Sequence, residues 1–277
     1  MKKFLTLISL SLILVLAACG GGNNNEEATA NVEDDSIVVG ASSVPHGEIL
    51  EEAKPLLEEE GIDLEIEPYE DYVLPNDDVD SGEIDANFFQ HIPHLEQTND
   101  DTGYGLVNIG EIHIEPMGVY SQGFETMDEV PEGTEVVLSN SVADHGRVLS
   151  LFENEGLITL DDSVDPDEAT IDDIEENPHD FEFTADNEAG FLPEIYESEE
   201  DSLVVINTNY AIEAGLDPEE DTIFKEEDDS PYVNVIAVTE ENEDNEALNT
   251  LVDVLHSDDI QEFIEDEYDG AVVPVSE

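Results

Sequence analysis

Beyond residue 35 the apolar positions of this chain fall into two rhythms that alternate along the sequence. Ser36-Ile-Val-Val-Gly-Ala41 is a short apolar run and predicts a buried strand. Ile49, Leu50, Ala53, Leu56 and Leu57 then recur at helical spacing, and Gly61 supplies a stop, so a helix is expected over Glu48–Glu60. Ile62-Asp-Leu-Glu-Ile66 alternates apolar and acidic residues, the period of a half-buried strand. Further strands are predicted at Gly118-Val-Tyr120, Glu135-Val-Val-Leu138, Leu203-Val-Val-Ile206 and Val233-Asn-Val-Ile-Ala-Val238. Helices are predicted over 145–155, over 245–256 with Leu248, Leu251, Val252 and Leu255 in phase, and over 260–267 ahead of an apolar tail at 271–275.

Alternating strands and helices point to an α/β fold, and no internal repeat is evident. The chain is long enough for two modest lobes. Pro116 and Gly123 flank a change of segment near 118–124, and a second change falls in the polar run 225–230. Two such crossings suit a chain that passes out to a second lobe and returns. The expected division is residues 36–120 with 231–277 in the first lobe and 121–230 in the second. A ligand cleft would lie between them, where parallel strands end and helix N-termini offer N–H donors.

The first residues have another character. Met1-Lys-Lys is followed by an apolar run and small residues up to Cys19, which reads as a secretory signal over residues 1–18. The run is short of the ~20 residues that span a membrane. Leu16-Ala17-Ala18-Cys19 resembles a bacterial lipobox, in which the cysteine thiol carries diacylglycerol after cleavage. Cys19 is the only cysteine, so no intrachain disulfide can form. Residues 19–35 then serve as a flexible tether, which places the protein on the outer side of the cell membrane, held by lipid.

Charge changes the picture of the surface. The sequence holds 75 Asp+Glu against 5 Lys+Arg, a formal net charge of -70. Such a surface repels nucleic acid and anionic lipid, so neither is an expected partner. Hydrophobic residues still make up 39% and fall in periodic blocks, which argues against a disordered acidic chain. The acidity reads as adaptation to high salt, because a Debye length of ~3 Å at 1 M screens most of the repulsion. Among the few cations (Lys2, Lys3, Lys54, Arg147 and Lys225), Arg147 is the sole arginine. A guanidinium suits a bidentate grip on a carboxylate or phosphate; a structural ion pair with a nearby acid fits the composition equally well.

Three stretches are too specific to follow from composition: Asp85-Ala-Asn-Phe-Phe-Gln-His-Ile-Pro-His-Leu-Glu96, His113-Ile-Glu-Pro-Met-Gly-Val-Tyr120, and Val205-Ile-Asn-Thr-Asn-Tyr-Ala211 with Asp229-Ser-Pro-Tyr-Val-Asn234 downstream. With Val44-Pro-His46 and Gly61-Ile-Asp-Leu-Glu65 they resemble, in collinear order, the NlpA/MetQ family of methionine-binding lipoproteins. The resemblance implies a periplasmic-binding-protein fold of two α/β lobes around a cleft. It implies a monomer that captures L-methionine or a close analogue and delivers it to the permease and ATPase subunits of an ABC importer. It implies an aromatic wall for the thioether at Tyr72, Phe89, His91 and His94, a carboxylate partner at Arg147, and zwitterion contacts at Asn207 and Asn234. Position 94 is commonly tyrosine in that family and is histidine here. The residues before Arg147, commonly Asn-Glu, are Asp144-His145. D-methionine, the sulfoxide and short methionine-containing peptides remain alternative ligands.

The residue chemistry agrees with an amino-acid ligand. Its carboxylate suits a forked guanidinium, its ammonium needs oxygen acceptors, and a polarizable sulfur gains from nearby rings. A lipid-anchored zinc-uptake protein is the rival binding function. His91 and His94 have an H-x-x-H spacing, but nothing completes a three- or four-ligand set at recognisable spacing. Asp77-Asp78 and Asp228-Asp229 read as solvated acidic surface, and His46, His113 and His256 as structural or surface residues. Phe88 and Phe89 are adjacent on a strand, so one faces the ligand and the other the core. No Gly-x-Ser-x-Gly, catalytic cysteine or phosphate loop appears, and neither an enzyme nor a cofactor is expected.

Overall fold

The computed structural model describes residues 36–227 and 230–275. The expected signal peptide, lipidated Cys19, tether and Asp228-Asp229 lie outside the described residues. In chain order the elements are β1 (Ser36–Ser42), α1 (Glu48–Glu60), β2 (Asp63–Tyr69), α2 (Leu74–Ser81), β3 (Ala86–His91), α3 (Ile92–Thr102), β4 (Leu106–Ile114) and β5 (Gly118–Tyr120). There follow β6 (Glu135–Ser139), α4 (Val142–Asn154), β7 (Thr159–Leu160), β8 (Ile174–Glu176), β9 (Glu182–Asn187), α5 (Leu192–Ser198) and β10 (Leu203–Ile206). The chain ends with α6 (Thr208–Glu213), β11 (Phe224–Lys225), β12 (Val233–Thr239), α7 (Glu246–Leu255), α8 (Asp258–Tyr268) and β13 (Val273–Pro274).

These form two mixed sheets and a small β7–β8 pair. The first sheet has the order β13-β4-β12-β3-β1-β2, and the second β11-β5-β10-β6-β9. Strand β1 runs parallel to β2 and β3, whereas β12 runs antiparallel to β3 and β4. In the second sheet β6 is parallel to β10 and β9, and β5 is antiparallel to β10. Each sheet carries its own core. The first joins Ile37, Val39, Phe88 and Ile236 to Ile49, Leu50 and Leu57 of α1 and to Leu248 and Leu251 of α7. The second joins Val136, Leu138, Leu203 and Val205 to Leu149 and Phe152 of α4.

Local chemistry accounts for most element ends. Helix α1 buries Ile49, Leu50, Ala53 and Leu57 and stops where Gly61 turns left-handed at φ 88°. Asn245 caps α7 by accepting the Leu248 N–H. Strand β3 is buried along its whole length, polar residues included. Its Asn87 and Gln90 are satisfied by one another and by the buried Asn76 of α2.

Two boundaries differ from expectation. Gly118–Tyr120 pairs with Leu203–Ile206 in the second sheet, so the chain leaves the first sheet at 115–117, before Gly118 rather than after Tyr120. Pattern alone identifies a strand but not the sheet it joins. The helix expected from 145 starts at Val142, which is 57% exposed, while Asp144 and Arg147 are buried polar residues. The apolar rhythm that reveals α4 therefore begins only at Val148. The return crossing occupies the stretch after Lys225 and before β12.

Candidate ligand-binding site

The strands β3 and β10 both end at the junction of the two lobes, where α/β proteins place their ligands. The end of β3 supplies Phe89 and His91, the first turn of α3 His94, and the turn before α2 Tyr72. Helix α4 supplies Asp144 and Arg147, and the β10–α6 junction supplies Asn207, Thr208 and Asn209. Asn234 comes from β12 and Glu115 from the outgoing crossing. All seven residues expected in the site (Tyr72, Phe89, His91, His94, Arg147, Asn207 and Asn234) line one cavity. Gln90, Glu115, Asp144, Thr208 and Asn209 complete its wall. It is a narrow cavity, with about 380 Å³ of atom-free space counted together with its opening to solvent.

One end of the cavity is aromatic. Tyr72, Phe89 and His94 form a triangle of rings with centroids 5.7 to 6.0 Å apart. Phe88 points the other way, into the core against His46, as strand alternation requires. His94 Nδ1–H donates to Gln90 Oε1 at 3.0 Å, which ties the ring to the buried amide network. Burial lowers the His94 pKa to about 4, so at neutral pH it acts as an uncharged ring.

The other end is polar. His91 accepts the His94 backbone N–H at Nδ1, so its proton sits on Nε2, which donates to Asp144 Oδ1 at 3.0 Å. Burial alone would raise the Asp144 pKa, but His91, Arg147 and the Asn207 amide outweigh it and hold the group well below the usual carboxylate range. Asn207 Nδ2 donates to Asp144 Oδ2 at 3.2 Å. Only the amide nitrogen can face that carboxylate, so Oδ1 points elsewhere; it is buried and has no partner among the described residues. The Asn234 oxygen, by contrast, is taken by His46 Nε2–H at 3.1 Å.

The two parallel bonds expected from Arg147 to a ligand go to a protein residue instead. Nε and Nη2 donate to Glu226 at 2.8 and 2.6 Å, and Nη2 also donates to the Glu115 carbonyl at 2.7 Å. The guanidinium carbon lies 4.6 Å from the Tyr232 ring centroid, a cation–π contact. Burial acts to lower the Arg147 pKa, but Glu226, Asp144 and Tyr232 push it above its ordinary value. Two neighbours hold this arrangement. Tyr232 donates to Asp167 at 2.9 Å, and a Cβ on Gly146 would meet the carbonyl oxygens of Pro166 and Asp167 at 2.4 and 2.5 Å. Only glycine lets that turn pack so close to α4.

Hydrogen bonds also cross the cleft itself. Tyr72 donates to Asn209 Oδ1 at 2.7 Å, Tyr210 donates to the Glu70 carbonyl at 3.0 Å, and His91 reaches Asp144. Glu226, Tyr232 and Asp144 were not expected as structural partners; the Pro-Tyr-Val-Asn motif and the acid before Arg147 were the only sequence signals for the last two.

His46 and His113 are buried; His113 aims Nε2–H at Glu115 Oε1 at 2.8 Å, and His46 shares its Nε2–H between Glu115 Oε1 and Asn234 Oδ1, each at 3.1 Å. These three could converge on a metal ion. Nδ1 of each ring, however, is buried without a partner among the described residues. Ligating histidines usually donate that N–H to a supporting acceptor, whereas in a hydrogen-bonded cluster it is only an unused lone pair. The cluster therefore fits a carboxylate held by two imidazoles, and burial lowers the His46 pKa to about 4. His91 Nε2 bonds Asp144 and His94 Nδ1 bonds Gln90, and among the described residues the two rings do not belong to a group of three or more converging metal-ligating side chains.

The same arrangement of chain recurs in known proteins. The chain is 46% identical over 247 residues to the methionine-binding lipoprotein MetQ of Bacillus subtilis, covering 87% of this chain and 88% of that relative. It is 37% identical over 240 residues to the D-methionine-binding lipoprotein MetQ of Escherichia coli, covering 86% of each. A solved nutrient-binding protein from Burkholderia cenocepacia bound to methionine superposes with a TM-score of 0.82 at 35% identity, covering 86% of this chain and 99% of that one. The profile of the NlpA lipoprotein family matches residues 37–276, and the chain belongs to that family.

Proposed function

We propose that this protein captures methionine in the cleft between its lobes and hands it to the permease and ATPase of an ABC importer. The observation that carries the reading is the convergence of all seven expected residues on one cavity with a ring-lined end and a charged end. In this reading the thioether lies among Tyr72, Phe89 and His94, where sulfur–ring contacts contribute roughly 0.3–1.5 kcal/mol each. The ammonium meets the unpartnered Asn207 Oδ1 beside Asp144, and the carboxylate meets Arg147 at Nη1, which has no hydrogen bond among the described residues. Asn234 contributes through its amide nitrogen, since its oxygen is occupied. The protein acts as a monomer tethered outside the cytoplasm by a lipid on Cys19.

Calorimetry of ligand-stripped protein in molar salt tests the ligand. L-methionine is expected to bind one per chain and, at 100 times its Kd, to add about 2.7 kcal/mol of stability. Saturating L-methionine with neither heat nor thermal shift would sink the reading. D-methionine and the sulfoxide, run in parallel, rank the relatives. Cys19→Ser is expected to free the protein from the membrane fraction with unchanged affinity; retention in the membrane would argue for another anchor.

A further inference from the structure

Glu226 belongs to no expected binding set, yet its carboxylate is the group most closely engaged with Arg147. Oε1 accepts from Nε at 2.8 Å, and Oε2 accepts both Nη2 at 2.6 Å and the backbone N–H of Met117 at 2.9 Å. Arg147 in turn donates to the Glu115 carbonyl. Glu115 and Met117 lie on the outgoing crossing between the lobes, and Glu226 opens the return crossing. One side chain thus ties the arginine of α4 to both strands of the hinge.

A plain counter-ion needs only to be near its partner. Glu226 does more, because the Met117 N–H fixes its carboxylate and that carboxylate fixes the guanidinium side-on. Of the five guanidinium donors, Nε and both Nη2 protons are used, which leaves the two on Nη1. Arg147 also lines the ligand cavity, and only 5% of its side chain is exposed. We propose that Glu226 is a positioning residue that holds Arg147 with Nη1 turned to the cleft, ready for the carboxylate of the ligand. This rests on the reading that methionine binds with its carboxylate on Arg147. A long, flexible side chain ordered before the ligand arrives need not be ordered by it, and affinity rises accordingly.

The test is a double-mutant cycle with L-methionine, measured by calorimetry in molar salt. Glu226→Gln puts an amide N–H₂ either against Nε or against both Nη2 and the Met117 N–H, so the arginine loses its side-on clamp. It is expected to weaken methionine binding on the order of tenfold. In an Arg147→Lys background, which has no fork to position, the same change is expected to cost less than twofold. Thermal unfolding of the ligand-free variants verifies that each is folded. Glu226→Asp, which keeps the charge but is too short to reach all three donors, serves if the glutamine variant does not fold, with an intermediate loss that also vanishes beside Arg147→Lys. Affinity of Glu226→Gln within twofold of wild type, or tighter, would show a counter-ion alone. Equal losses in both backgrounds would show that Glu226 acts through the hinge without the arginine. Wild-type protein that ignores methionine would instead overturn the functional reading, and this inference with it.

Discussion

The outer surface and the cleft treat negative charge in opposite ways. On α1, Glu51, Glu52, Glu58, Glu59 and Glu60 all stand in solvent with Lys54 as the one cation of the helix. In and behind the cleft, the buried Glu115 and Asp144 and the half-buried Glu226 are each met by named donors: two imidazoles, an imidazole with an amide, and a guanidinium with a backbone N–H. Exposed carboxylates answer to ionic strength, because salt screens them from one another. Buried ones answer to geometry, because removing a partner leaves a charge without solvent. The surface acids are therefore tested by salt, and the three paired carboxylates by changing their partners.

The largest effect should come from the surface. Melting temperature is expected to climb steeply from low to molar NaCl or KCl, by about 2–4 °C for each kcal/mol of repulsion that screening removes. Methionine affinity should change far less over the same series, since the Arg147 contacts are buried. A flat melting curve would erase the contrast. The cleft is broken next by Arg147→Ala, which strands Glu226 and is expected to cost about 3–5 kcal/mol of stability by chemical denaturation in molar salt. Arg147→Lys keeps a charge but not the fork, and should lose on the order of 1.5–3 kcal/mol of methionine affinity. Affinity within twofold of wild type would reduce Arg147 to a structural ion.

Acid separates the two regions by sign. His46 has a pKa of about 4 in the fold against 6.5 unfolded, so only the unfolded chain gains that proton between those values. Its contribution is complete above pH 6.5, is lost as pH falls to 4, and amounts to about 3 kcal/mol. His94 shifts in the same direction, to about 4, and its contribution is lost over the same range. Surface carboxylates that protonate in the same range relieve repulsion and act the other way. In molar salt that relief is already spent, so the melting temperature there should fall between pH 6.5 and 4; a rise would reverse the assignment. The smallest effect is expected from Gly146→Ala, about 1–3 kcal/mol from overpacking against the Pro166–Asp167 turn, read from the denaturation midpoint.

How far the sequence could be read follows the same division between local and distant. Helix α1 was legible to its last residue because apolar spacing and a glycine stop are local. Strand alternation allowed only one of Phe88 and Phe89 to face the cleft, the family resemblance pointed to Phe89, and Arg147 stood out because the chain has no other arginine. The motifs marked Asn207 and Asn234 but not their engagement: only the packing of Asn207 on Asp144 and of Asn234 on His46 shows which amide oxygen is spent. Glu226 was one acid among many in a polar run. It meets Arg147 across 79 positions, and nothing in periodicity or spacing carries a contact set by how two lobes meet.

The bonds from Tyr72 to Asn209, Tyr210 to Glu70 and His91 to Asp144 have a consequence in time rather than in affinity. All three join one lobe to the other, so each must break before the lobes part. Entry and escape both wait for that one event, on the microsecond-to-millisecond clock of hinge motions or slower. If methionine binds as proposed, its residence is timed by that opening, and a partner that grips the open form more tightly than the shut one would set the moment of release.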